Sequence, residues 1–233
     1  MSLADELKTQ VKKTLSSQWT KRDGTAAPAA DAVGLGNDAV KFDAATVLYA
    51  DLSDSTGMVS SQPDYFAAEV YKTFLYSAAR VIRSEGGEIT AYDGDRVMAV
   101  YVGDRKNTSA ARSALKINYA VKQIINPAIA AQYPERAFTL RHVVGIDTSS
   151  QFVARTGVRG DNDLVWVGRA ANYAAKLTTL SNCPTYITGT AFDSLADEAK
   201  FGGNPRMLMW EERTWTPMSG LRIFGSNWWW QID

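Results

Sequence analysis

The chain has 233 residues, of which 25 are acidic and 25 basic, so its formal net charge at pH 7 is zero. A hydrophobic share of 45% and a charged share of 21% are those of a globular domain with an ample core. With zero net charge, no attraction to a polyanion or a membrane surface follows from the overall charge. A single cysteine, Cys183, excludes an intramolecular disulfide and fits a reducing compartment. No apolar run approaches a membrane span, and the first residues lack the apolar core of a signal peptide, so a cytoplasmic protein is expected.

Leu3, Leu7, Val11 and Leu15 fall four apart and predict an amphipathic helix over residues 3–19. It could dock on the domain or on a second copy. Asp5 and Glu6 dilute its basic charge and argue against a membrane-surface helix. Residues 24–38 are rich in Ala, Gly, Pro and Asp and read as a linker, so residues 1–40 form an N-terminal helix and linker and residues 41–233 the main domain. Thr46 to Ala50 then read as a short buried strand that ends on Asp51, followed by Leu52 and the small polar run Ser53-Asp54-Ser55-Thr56. A carboxylate at a strand end, with backbone amides just beyond it, suits a metal ion carrying phosphates. The plain alternative is a helix cap.

Phe66, Val70, Phe74, Ala78 and Ile82 give residues 64–83 one apolar helix face. Residues 86–101 read as two strands around Asp93-Gly94, with Asp95 at the turn. If that hairpin lies beside the first strand, Asp51 and Asp95 can share hard cations, a usual device for moving phosphoryl groups. The alternative is that Asp93 and Asp95 are turn residues only. A helix over residues 108–125 should face inward with Ala110, Ala114, Ile117, Val121 and Ile124, and Pro127 should end it. Residues 138–146 alternate as a strand. His142 shares a face there with Leu140 and Val144 and reads as structural, because no second histidine exists to pair with it. Residues 151–158 and 163–167 read as a hairpin. The next helix, residues 168–177, places Asn172 and Lys176 on one face, a turn apart, where they could hold a ribose and a phosphate or merely face solvent. A short strand over residues 185–188 and a helix over 191–199 follow. Trp210, Trp215, Trp228, Trp229 and Trp230 crowd the tail and are expected to close a core or an interface. Few basic residues interleave with them, against a nucleic-acid stacking platform.

Strand, helix, hairpin, helix, strand, hairpin, helix, strand predicts an α+β fold, an antiparallel-rich sheet covered by helices. Over residues 45–195 the chain resembles the class III nucleotidyl cyclase catalytic domain, whose fold is ferredoxin-like. The resemblance rests on Leu48-Tyr49-Ala50-Asp51-Leu52-Ser53-Asp54-Ser55-Thr56, Gly94-Asp95-Arg96-Val97-Met98-Ala99-Val100-Tyr101, Val144-Gly145-Ile146-Asp147 and Trp166-Val167-Gly168-Arg169-Ala170-Ala171-Asn172. It implies a homodimer with active sites shared between chains, a nucleoside triphosphate substrate, and two divalent ions, Mn2+ or Mg2+, per site. Asp51, Asp95 and the carbonyl of Leu52 would bind the ions. Amides of Ser53, Asp54, Ser55 and Thr56 would hold the triphosphate. Asn172 would orient the ribose and the ring-closing transition state. Lys176 stands where the family usually has a phosphate-binding arginine; it keeps the charge but lacks the two-pronged geometry.

Two positions depart from the purine cyclases of that family. The usual base-reading lysine is Ala91, followed by Tyr92, and the usual Asp or Thr is Val165, beside Trp166. A pocket without those partners loses purine specificity. The chain is similar to one branch, the stand-alone bacterial pyrimidine cyclases of antiphage defence (Pycsar), with Tyr92 a candidate for the pyrimidine pocket. This implies cyclisation of UTP, with CTP or a purine triphosphate as alternatives and a cyclic nucleotide signal to a separate effector as its role. An inactive cyclase-like binding module and a purely structural interaction domain are the rival readings.

Overall fold

The computed structural model describes residues 1–232. Helix α1 (Leu3–Ser16) has a Ser2/Asp5 capping box and no buried residue. Strand β1 (Thr20–Asp23) lies parallel to β2 (Asp38–Leu52), with Thr20 opposite Asp38. Trp19 packs edge-on against Phe152, 5.0 Å between ring centroids, and Val33 is fully buried. The stretch read as a linker is therefore irregular in backbone yet packed against the sheet, and Asn37 Nδ2 within it donates to the carbonyls of Thr14 and Ser17 at the end of α1, at 2.9 and 2.7 Å.

After β2 come α2 (Ser55–Ser61), α3 (Asp64–Ser84), the hairpin β3 (Glu88–Asp93) and β4 (Arg96–Tyr101), then α4 (Lys106–Tyr119). The chain continues through a π-helical turn (Ala120–Ile125) into α5 (Asn126–Gln132). Pro127 therefore does not end the helix: it follows the π turn directly, at the second position of α5. The wider π turn also rotates the expected face. Ile124 turns outward, 51% exposed, and Ile125 takes the buried place. Strand β5 (His142–Val158) is one long strand rather than the two pieces expected, and it pairs with β6 (Asp161–Val167). Then follow α6 (Arg169–Leu177), β7 (Thr185–Thr188), α7 (Gly189–Asp193), α8 (Asp197–Lys200), the small pair β8 (Phe201–Gly202) and β9 (Met207–Leu208), and the hairpin β10 (Glu211–Trp215) and β11 (Leu221–Ser226).

The main sheet has nine strands, ordered β10-β11-β7-β5-β2-β4-β3, with β1 on β2 and β6 on β5. Except for β1–β2 and β5–β7, its pairings are antiparallel. Period-two alternation divides its two faces. Leu48, Ala50, Val97, Ala99 and Ile146 pack under the apolar stripes of α3 and α4, including Phe66, Val70, Phe74, Ala78 and Ile82. Val47, Met98, Val100 and Val153 face α6. Four of the five tail tryptophans pack on the domain, and Trp229 is 44% exposed. Trp210 and Trp215 are buried, Trp228 and Trp230 pack on the α3/α4 side, and the Trp230 amide donates to the Leu115 carbonyl at 3.1 Å.

Candidate active site

Strand β2 carries Asp51 to the end of the sheet between β4 and β5, opposite Arg96 on one side and Val143 on the other. Leu52 and Ala50 point to the α3/α4 side, so alternation turns Asp51 to the α6 side. There the Thr178 hydroxyl, at the end of α6, lies 3.2 Å from Asp51 Oδ2. The β3–β4 turn works as expected, with Gly94 at φ 61°. It sets Asp95 next to Arg96, and therefore beside Asp51. Burial first, and then the negative charge of Asp95, push the Asp51 carboxyl above its ordinary pKa. Carboxylates at such a half-buried strand end and its neighbouring turn are hard-oxygen donors of the kind magnesium or manganese prefers. Arg96 itself pairs with Asp93 at 2.5 Å and lies 5.7 Å from the Tyr49 ring centroid.

The turn after Leu52 is partly as expected. The Ser53 amide donates to the Arg141 carbonyl at 2.9 Å, extending the β2–β5 ladder, so it is not free for a phosphate. Asp54 adopts the left-handed conformation, φ 59°, and bends the chain into α2. Ser55 and Thr56 open that helix, where amides have no intrahelical acceptor.

Helix α6 lies so close on β5 that a Cβ at Gly145 would come 2.1 Å from the Ala174 carbonyl oxygen. Its first residue anchors it. Arg169 Nε and Nη2 donate to Asp147, at 3.0 and 3.3 Å, and Nη2 also donates to the Thr148 carbonyl at 2.7 Å. The Thr188 hydroxyl donates to the same carboxylate. Asn172 and Lys176 are exposed on α6. Asn172 Nδ2 reaches only the Gly168 carbonyl of its own helix, at 3.3 Å, and Lys176 Nζ lies 3.9 Å from Met218 Sδ. Neither bonds to Asp51 or Asp95 of its own chain.

The positions expected to meet the base divide. Tyr92 is exposed, Val165 is 39% exposed and Ala91 packs at the edge of the α6-side cluster. Trp166 is a correction. It is buried, stacked on Phe42 at 5.7 Å, because it alternates with Val165 along β6 and so points into the core. Sequence reading missed Thr178 and the Asp147–Arg169 pair. A carboxylate directly after the apolar run Val143–Ile146, on the same strand, was the available signal for the pair, since a buried charge needs a partner. Thr178 gave none.

No family model matches the chain. It is 53% identical over 234 residues to a uridylate cyclase of Xanthomonas perforans and 53% identical over 233 residues to one of Burkholderia cepacia, in both cases covering 100% of each chain. This chain belongs to the uridylate cyclase family. A further member, from Rhodovulum sp. (strain MB263), is 36% identical and covered over 98% of both chains. The fold is that of class III cyclase domains. The guanylyl cyclase Cya2 superposes with a TM-score of 0.67 at 17% identity, covering 81% of this chain and 93% of that one. The adenylyl cyclase CyaB of P. aeruginosa superposes with a TM-score of 0.63 at 17% identity, covering 84% and 96%. The α+β expectation is thus borne out, and the protein is a nucleotidyl cyclase. Among the described residues no helix is long and apolar enough to cross a membrane.

Proposed function

We propose that this uridylate cyclase family member converts UTP to 3′,5′-cyclic UMP and pyrophosphate as a homodimer with two shared sites. The observation that carries the reading is that Asp51 ends β2 opposite Arg96, next to the β3–β4 turn that bears Asp95, in a chain 53% identical over its whole length to proteins named for uridylate cyclisation. Asp51, Asp95 and the Leu52 carbonyl would hold two divalent ions, which when bound neutralise the triphosphate and lower the pKa of the 3′-hydroxyl. Amides of Ser55 and Thr56 bind phosphate oxygens at the start of α2. The 3′-oxygen forms a bond to the α-phosphorus as its bond to the pyrophosphate oxygen breaks, and the hydroxyl proton passes to solvent. Asn172 orients the ribose, and the Lys176 ammonium meets negative charge growing on the α-phosphoryl oxygens. Both side chains project from α6 without touching their own Asp51, which supports their serving a partner's site under twofold symmetry. Tyr92, Ala91 and Val165 form the base pocket, where no side chain reads a purine edge. By resemblance to the pyrimidine cyclases of antiphage defence, the cyclic UMP would signal to a separate effector.

The deciding assay incubates the protein with each of the four nucleoside triphosphates and manganese and identifies the products. Cyclic UMP as the main product supports the reading. Cyclic CMP or a cyclic purine nucleotide would redirect it to another cyclase, and metal-dependent binding without turnover to an inactive module. Asp51→Ala and Asp95→Ala should each lower turnover by about a thousandfold or more. A mixed dimer of Asp95→Ala and Asn172→Ala chains should regain activity at one site. Silence of that mixed dimer, with the dimer confirmed, would refute sites shared between chains.

A further inference from the structure

The last turn of α6 meets the strand end that carries Asp51. Close packing fixes that turn on the sheet. A Cβ at Gly145 would come 2.1 Å from the Ala174 carbonyl oxygen and 2.8 Å from Leu177 Cβ, and both Ala174 and Leu177 are fully buried. Gly145 stands opposite Tyr49 on β2, and Val143, two residues earlier, stands opposite Asp51. Thr178 follows Leu177 as the helix cap, at φ −69° and ψ −14°, and is only 9% exposed. Its backbone is thus held in place before its side chain makes any bond.

The Thr178 hydroxyl has two acceptors in reach, Asp51 Oδ2 at 3.2 Å and the Ala175 carbonyl of its own helix at 2.8 Å. It has one proton to give. The Ala175 carbonyl also receives the Thr178 amide, at 3.3 Å, so it keeps a donor when the hydroxyl turns away. Asp51 has no such reserve: among the described residues Thr178 is the side chain that hydrogen-bonds to it. An ionised acceptor also makes the stronger bond. The proton therefore goes to Asp51 whenever that carboxylate is ionised, as a metal ligand must be.

We infer that Thr178 is a positioning residue for the metal site: its hydroxyl holds the Asp51 carboxylate in one orientation and leaves the other lone pairs to a divalent ion. The inference rests on the reading of Asp51 as a metal ligand. Thr178 itself touches neither ion nor substrate. Without the bond, the cost of ordering Asp51 falls on metal binding. Loss of such an outer hydrogen bond typically weakens metal affinity by about 10- to 100-fold. A hydroxyl that only caps α6 would instead affect stability and leave metal affinity alone.

Full-length metal-free protein is titrated with Mn2+, and the free ion is followed by electron paramagnetic resonance. Wild type should bind saturably and Asp51→Ala should not. Thr178→Val keeps the side-chain shape and deletes the hydroxyl, and it should bind at least tenfold more weakly. Thr178→Ser restores the hydroxyl and should come within about threefold of wild type. In UTP turnover, Thr178→Val should need at least tenfold more Mn2+ for half its maximal rate. Added Mn2+ should then restore the rate, which a loss of folded protein would not allow. If circular dichroism shows Thr178→Val unfolded, Thr178→Ala carries the same comparison. Mn2+ affinity in Thr178→Val within about threefold of wild type, with binding lost in Asp51→Ala, would overturn the positioning role and leave the metal site standing. Equal weakening in Thr178→Ser would overturn it too, because the hydroxyl would not be the agent. Undiminished binding in Asp51→Ala, or none in wild type, would remove the metal site at Asp51 and this inference with it.

Discussion

The anchor of α6 is the feature whose removal makes the sharpest demand on the structure. Arg169→Met keeps much of the side chain's apolar stem and deletes three donor contacts, two to Asp147 and one to the Thr148 carbonyl. The Asp147 side chain is fully buried, and after the change only the Thr188 hydroxyl would donate to it among the bonds seen now. Breaking a fully buried ion pair costs about 3–5 kcal/mol. Here the arginine side is 40% exposed, so water can partly replace it. A cost of about 2–3 kcal/mol is the reasonable figure once exposure is discounted. In a chain of this size that is a fall in melting temperature of roughly 4–12 °C. Thermal unfolding followed by circular dichroism measures it. Changing Asp147→Asn as well removes the stranded charge, so the double variant should be more stable than Arg169→Met alone. A loss under about 0.5 kcal/mol in Arg169→Met, or no recovery in the double variant, would refute the account. Function supplies the second readout. Because α6 carries Asn172 and Lys176, the folded Arg169→Met protein should lose turnover more than substrate affinity.

Three further outcomes follow from the same physics. His142 is buried, and burial together with the nearby Lys122 cation lowers its pKa to about 3, so the unfolded state gains a proton first as pH falls below 6.5. Stability should therefore decline from that point toward the folded value, by about 2 kcal/mol at pH 5. Comparing denaturant midpoints at pH 7 and pH 5 for wild type and His142→Leu tests this, since the variant should lack that slope. Asp51 has a raised pKa, so its ionised form burdens the folded state above the ordinary value of 3.8 and not below it. Metal-free Asp51→Asn should accordingly melt no lower than wild type at neutral pH, and manganese should raise the melting temperature of wild type only. Finally, ending the chain at Ser226 removes Trp228 and Trp230 from the α3/α4 side and the Trp230 bond to Leu115. Those two partly buried rings put the cost at about 3 kcal/mol, a drop of roughly 6–12 °C in melting temperature.

What the sequence revealed depended on whether one local periodicity governed the outcome. Every expected inward residue of α3 is buried, because its spacing of four sees one neighbouring surface along the whole helix. The same argument failed at Ile124, where a π turn shifts the face by part of a turn and no residue type announces it. The long strand β5 was read as two because residues near Ser149 and Ser150 are polar. Their place is fixed by pairing with β2 and β6, which are distant in sequence. Register is also what separates the two kinds of site residue. Asp51 and Asp95 were legible because a strand end and a glycine turn dictate where a short carboxylate can go. Trp166 was not, because a motif gives its position along β6 and only the pleat gives its direction. A substitution at Val165 can therefore alter the proposed base pocket directly, whereas one at Trp166 acts through the Phe42 stack and should be felt first as lost stability.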